Sequence, residues 1–137
     1  MTAQFFLDTN VLIYAAAGRE TAEVKRKRAR EVVGSGNFGT STQVLQEFYV
    51  NLKRLAGPSF SPKQAMLWID RLGGLPIIST DLAIVKAGIV TSERYKISYW
   101  DGAILAAAEA LGATTLYSED LSHGQTYGSV KVVNPFM

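Results

Sequence analysis

The chain has 137 residues, 47 % of them hydrophobic and 19 % charged, with no cysteine and a net charge of +2. That length and mix favour one domain, able to bury roughly two-thirds of the surface its unfolded chain would expose. They exclude a disulfide framework and thiolate metal ligands, and a cysteine-free chain suits a reducing cytoplasm, where the protein is expected to reside.

The opening segment MTAQFFLDTNVLIYAAAG is apolar but lacks a basic leader, and Asp8 and Asn10 interrupt it. Neither a secretory signal nor a membrane span is expected there. Residues 4–7 (QFFL) read as a buried strand ending at Asp8, and Val11 to Ala17 as a short helix closed by Gly18. Residues 20–33 (ETAEVKRKRAREVV) form a second helix stopped by Gly34 and Gly36. Residues 37–39 could make a very short strand. Thr40-Ser41-Thr42-Gln43 fits a capping box, opening a helix that runs to about Ala56. Gly57-Pro58-Ser59 breaks it. Ser61-Pro62-Lys63-Gln64 starts another, with Pro62 at the first helical position, and Gly73-Gly74 ends it. Leu75 to Ile78 is a strand; Ser79 or Thr80 caps a helix reaching about Tyr95; Ser98 opens one more, ending before Gly112. Thr114 to Tyr117 is a strand and Val130 to Val133 the last, ended by Asn134-Pro135. This alternation, about four or five short strands with six helices, predicts an α/β domain over residues 1–137 with a parallel sheet.

The acids fall at informative places. Asp8 directly follows an apolar strand, at the carboxyl end where open α/β sheets gather ligands. A simple helix cap is the competing role for Asp8 or Asn10. Asp120 repeats the arrangement after TTLY and Ser118, although a polar turn accounts for it equally and Glu119 competes with it. Asp101 precedes Ile104, Leu105, Ala108 and Leu111 at helical spacing, so it shares their inward face. It also completes a Ser98-x-x-Asp101 capping box, and a helix N-terminus favours negative charge. Glu47 flanks the apolar stripe Val44, Phe48, Leu52, Leu55 and by itself reads as a surface glutamate.

Together the four make a pattern: strand-end Asp, helical Glu, helix-start Asp, strand-end Asp. Burying carboxylates near one another is costly unless a cation compensates. With one histidine and no cysteine, an all-oxygen site for Mg²⁺ or Mn²⁺ is the only well-supplied kind. Setting four acids aside leaves the fourteen basic side chains in excess, which suits a polyanionic substrate.

Four ordered stretches carry a family likeness: FLDTNVLIY, STQVLQEFY, YWDGAILAAAEALGATTLYSEDLSHGQ and VVNPF. In these the chain resembles the PIN-domain nucleases, and within them the VapC-type toxins of toxin–antitoxin pairs. The resemblance implies a PIN-like three-layer fold, a short parallel sheet flanked by helices. It implies a Mg²⁺- or Mn²⁺-dependent endoribonuclease that hydrolyses RNA phosphodiester bonds. Asp8, Glu47 and Asp101 match the core metal-binding acids, Asp120 the more variable fourth, Asn10 a residue steadying the first acid, and Ser118 a hydroxyl beside the site. It further implies an RNA substrate, a small antitoxin partner, a homodimer and no membrane association.

Other features read more plainly. Lys25-Arg26-Lys27-Arg28 and Arg30 could steer RNA, but a solvated helix face is the expected role for most of them. Tyr49, Tyr99 and Trp100 could stack on bases, with core packing expected for Tyr49 and Trp100. The stripe at Met66, Leu67 and Ile69 reads as core or dimer face. His123 is expected to be incidental. Two alternatives remain at this stage: a PIN-like fold acting as a non-catalytic RNA- or protein-binding module, and a phosphotransfer or phosphatase domain with a strand-end Asp nucleophile. Against the latter, Asp8-Thr9-Asn10 has no second acid, and the only lysine near a late strand, Lys131, is expected to start one.

Overall fold

The computed structural model describes residues 2–17 and 22–137. Strand β1 (Phe5–Leu7) pairs in parallel with β4 (Thr115–Tyr117), setting Phe6 opposite Leu116. Strand β4 pairs in parallel with β6 (Val130–Val133), and β5 (Thr126–Tyr127) adds an antiparallel edge to β6. A second parallel pair, β2 (Thr40–Ser41) with β3 (Ile77–Ile78), extends the sheet on the other side of β1. It joins through the single bridge between Phe6 and Gly39, where the Gly39 N–H donates to Phe5 O at 2.8 Å. A Cβ at Gly39 would lie 2.9 Å from the Pro76 carbonyl oxygen, so only glycine lets the backbones close there.

Six helices flank this mostly parallel sheet: α1 (Thr9–Ala17), α2 (Glu23–Gly34), α3 (Thr42–Ala56), α4 (Pro62–Leu72), α5 (Leu82–Tyr95) and α6 (Tyr99–Ala110). The core gathers Phe6, Leu7, Leu116 and Val132 from the strands with Leu12, Val44, Phe48, Leu52 and the middle of α6, residues 102–108. Ile104, Leu105, Ala108 and Leu111 are buried, as their spacing predicts. Among the described residues, no helix is long and apolar enough to cross a membrane.

Several local expectations need correction. Ser41 alone caps α3, its hydroxyl accepting from Val44 N at 3.3 Å. The full capping box is at α4, where Ser61 and Gln64 serve each other. Helix α5 is capped by Asp81 rather than Ser79 or Thr80, because its carboxylate takes the Ile84 N–H at 3.0 Å while Thr80 N–H is already given to Thr42 Oγ1. Residues 37–39 form no strand beyond the Gly39 bridge. Strand β5 was not expected from sequence; two residues carry too little periodicity to announce a hairpin partner. Lys131 sits inside β6. Leu55, Met66 and Leu67 are exposed, and so is Trp100 at 63 %, so none of the four is core. The closing role of Gly18 and the first two residues of the expected 20–33 helix lie outside the described residues.

Candidate active site

The parallel ladder between β1 and β4 continues one step past Leu7: the Asp8 N–H donates to Tyr117 O at 3.0 Å. This pins Asp8 at the carboxyl rim, with the residue only 3 % exposed. One carboxylate oxygen accepts from Thr9 N at 2.7 Å, the other from Ser118 Oγ at 2.7 Å. Burial pushes the Asp8 carboxyl up to about 7. The Ser118 and Thr9 bonds oppose that rise, and the charges of Asp120 and Glu47 add to it. Ser118 is itself fully buried and also accepts from Asp120 N at 3.2 Å. One hydroxyl therefore ties the ends of the two strands together.

Glu47 projects from α3 toward the same rim. Thr9 Oγ1 donates to one of its oxygens at 2.7 Å, and Gln43 Nε2 donates to the other at 3.1 Å. The same Gln43 amide reaches the Trp100 carbonyl at 3.1 Å, linking α3 to the first turn of α6. Gln43 is a site residue that no motif announces; its only sequence signal is a Gln one helical turn before the Glu it supports.

Asp101 sits in the first turn of α6, whose cap Ser98 accepts from Asp101 N at 3.1 Å. Its carboxyl lies above the ordinary range, chiefly through burial; a Ser98 hydrogen bond opposes this and the charges of Asp120 and Glu47 reinforce it. Asp8 and Asp101 thus feel the same two acids. Asn10 completes the rim: its amide donates to Asp120 Oδ2 at 3.1 Å, and its oxygen accepts from Glu119 N at 3.3 Å.

Glu119 points elsewhere. It pairs with Lys25 and accepts from Tyr14 O–H at 2.7 Å. Burial raises its pKa, but the two bonds outweigh that and hold it below the usual range. His123 is engaged with the end of β6, its Nδ1 accepting from Asn134 N at 2.9 Å. In the basic run Lys27, Arg28 and Arg30 are exposed, as expected of a solvated face, while Arg28 and Arg30 also donate to the carbonyls of Pro135 and Ala15, each at 3.0 Å.

Among the described residues, no buried side-chain polar atom lacks a partner, and no three acids or histidines close into a ready-made metal cage. The donor set nevertheless fits one class of ion. It is all carboxylate, it is spread out, and it runs from buried Asp8 through half-buried Glu47 and Asp101 to exposed Asp120. A hard divalent cation that keeps several of its own waters matches such a set, because water fills the distance between oxygen ligands.

The PIN domain model matches residues 5–128 of the chain. No curated protein sequence matches it. Among solved structures, a toxin–antitoxin complex from Klebsiella pneumoniae is similar with a TM-score of 0.70 and 21 % identity, covering 95 % of this chain and 96 % of that one. A Mycobacterium tuberculosis VapC described as a sarcin-ricin loop cleaving toxin has a TM-score of 0.66 and 19 % identity, covering 85 % and 89 %. VapBC2 from Rickettsia felis, bound to a DNA fragment from its promoter, has a TM-score of 0.59 and 19 % identity, covering 93 % and 96 %.

Proposed function

The chain belongs to the PIN domain family, and on that premise we propose that it is a metal-dependent endoribonuclease, the toxin of a toxin–antitoxin pair. The observation that carries this reading is the hydrogen-bonded rim in which Thr9 links Asp8 to Glu47, Ser118 links Asp8 to Asp120, and Gln43 links Glu47 to the turn carrying Asp101. The solved relatives support it: one is described as a toxin–antitoxin complex and another as a sarcin-ricin loop cleaving toxin.

In this reading the four acids hold Mg²⁺ or Mn²⁺, which when bound supplies a water of lowered pKa and stabilises charge on the phosphate. The chain's own contribution is placement. Ser118 and Thr9 hold the two Asp8 oxygens, and Thr9 and Gln43 hold those of Glu47. Ser98 and the helix end favour ionised Asp101, and Asn10 steadies Asp120. A buried carboxyl with a pKa near neutrality is only partly ionised by itself, so Asp8 becomes a full ligand where positive charge is supplied beside it. Trp100, exposed one residue before Asp101, offers a face for a base flanking the scissile phosphate. The partners that follow are RNA, a small antitoxin and a second copy of the chain, in the cytoplasm and away from membranes.

The test incubates the protein with structured RNAs and Mn²⁺, repeats with EDTA, and then uses Asp8→Asn and Asp101→Asn. Cleavage is expected with metal only, and lost in both variants. RNA binding without metal-dependent cutting would turn the reading toward a non-catalytic module. A phosphate trapped covalently on Asp8 would turn it toward phosphotransfer.

A further inference from the structure

Glu119 and Asp120 are adjacent acids on one turn, yet they are held by different partners, Glu119 by Lys25 and Tyr14 and Asp120 by Asn10. We propose that Glu119, gripped by Lys25 and Tyr14, is a positioning residue that turns Asp120 into the acid rim; this rests on reading Asp120 as a member of the site. The turn leaves β4 at Tyr117, and residues 119 and 120 form a bend. Anchoring the Glu119 side chain therefore fixes the short stretch of backbone from which Asp120 projects.

The grip on Glu119 has several parts. Lys25 Nζ pairs with one carboxylate oxygen, and the Tyr14 hydroxyl donates to the other at 2.7 Å. Lys25 Nζ also donates to Tyr14 Oη at 3.3 Å. The ammonium stands 5.0 Å from the Tyr14 ring centre and 5.7 Å from that of Phe136, and those rings meet edge to face at 4.9 Å. A lone surface ion pair does little. This one is seated against two aromatic walls and partly sheltered, which reduces both screening and rotamer freedom. The turn is also held by Asn10, one helical turn before Tyr14 on α1, which takes the Glu119 N–H and donates to Asp120, and by Ser118, which takes the Asp120 N–H. Lys25 on α2, far from the acids in sequence, thereby sets the aim of one of them.

The test is Lys25→Met, which keeps the stem and removes the charge, with Lys25→Arg as the conservative rescue. Amide hydrogen exchange at Glu119 and Asp120 is expected to become about tenfold faster in Lys25→Met and to recover largely in Lys25→Arg. Mn²⁺ affinity, measured by calorimetry without RNA, should fall about five- to tenfold in the wild-type background. It should not fall further when Lys25→Met is added to Asp120→Asn. Unchanged exchange, or an equal loss of Mn²⁺ affinity in both backgrounds, would overturn the proposal. If the wild-type protein takes up no Mn²⁺ while exchange still accelerates, the metal reading falls and the clamp stands.

Discussion

Asp101 and Gly102 are neighbours on the first turn of α6, and they belong to regions with opposite rules. Gly102 faces α5 across a seam with no spare room: a Cβ there would lie 2.6 Å from the Gly88 carbonyl oxygen and 2.9 Å from Ser92 N. A Cβ on Gly88 would in turn sit 2.9 Å from Ala103 Cα. The seam is fixed by shape. The acid rim is not crowded by atoms; it is crowded by charge, with Asp8 and Asp101 both raised by burial and by Asp120 and Glu47. The comparison teaches how the helix tolerates its own acid: backbone-to-backbone packing on one face resists the drift that repulsion on another would cause.

The largest expected effect attacks the seam. Gly102→Ala should destabilise the fold by about 3 kcal/mol, since backbone rather than a flexible side chain must yield. Denaturant midpoints measure it; a cost below about 1 kcal/mol would mean that the two helices slide apart easily, and the seam would no longer explain the rim.

The next effect belongs to the rim. Folded Asp8 titrates near 7 against an ordinary value of 3.8, so between those pH values the folded state keeps a proton the unfolded chain has released. Metal-free stability should therefore fall as pH rises through that window, by about 2 kcal/mol between pH 5 and 7, and Asp101 acts in the same direction. Thermal melts with EDTA across pH 5–8 read the slope. Asp8→Asn should flatten it, and a wild-type protein with no slope would remove burial as the dominant influence on Asp8.

Trp100, one residue earlier on the same turn, supplies a third direction, toward solvent. Trp100→Ala should raise KM for RNA about tenfold with little change in kcat; a loss confined to kcat would make it part of the rim instead. The smallest effect touches both regions at once. Ser98→Ala removes the cap that orders the turn carrying Asp101 and Gly102, and should cost about 1 kcal/mol in thermal or chemical unfolding.

Much of this was legible before any coordinates. Strand-end position exposes Asp8, because an apolar run followed by Asp-Thr-Asn is a local pattern. Helical spacing places Asp101 on the buried face, because the stripe Ile104, Leu105, Ala108, Leu111 belongs to one element. Glu47 was singled out only by the family resemblance, since a lone Glu beside an apolar stripe looks like any surface residue; the Thr9 hydroxyl that meets it comes from the start of another helix. Trp100 misleads for a related reason. Large aromatics are ordinarily buried, and only the packing of α6 against α5 and the sheet leaves this one outside.

Within single elements, then, the sequence by itself determined the α/β alternation, the inward stripe of α6, the start of α4 at Ser61-Pro62 and the strand-end acid, because periodicity, caps and turns act over a few residues. The tertiary structure paired Glu119 with Lys25 and Tyr14 and Asp120 with Asn10, and it set Gln43 against Glu47, because those outcomes depend on which distant side chains arrive. Lys25 and Tyr14 reach Glu119 from α2 and α1, and no local pattern around residue 119 carries that information.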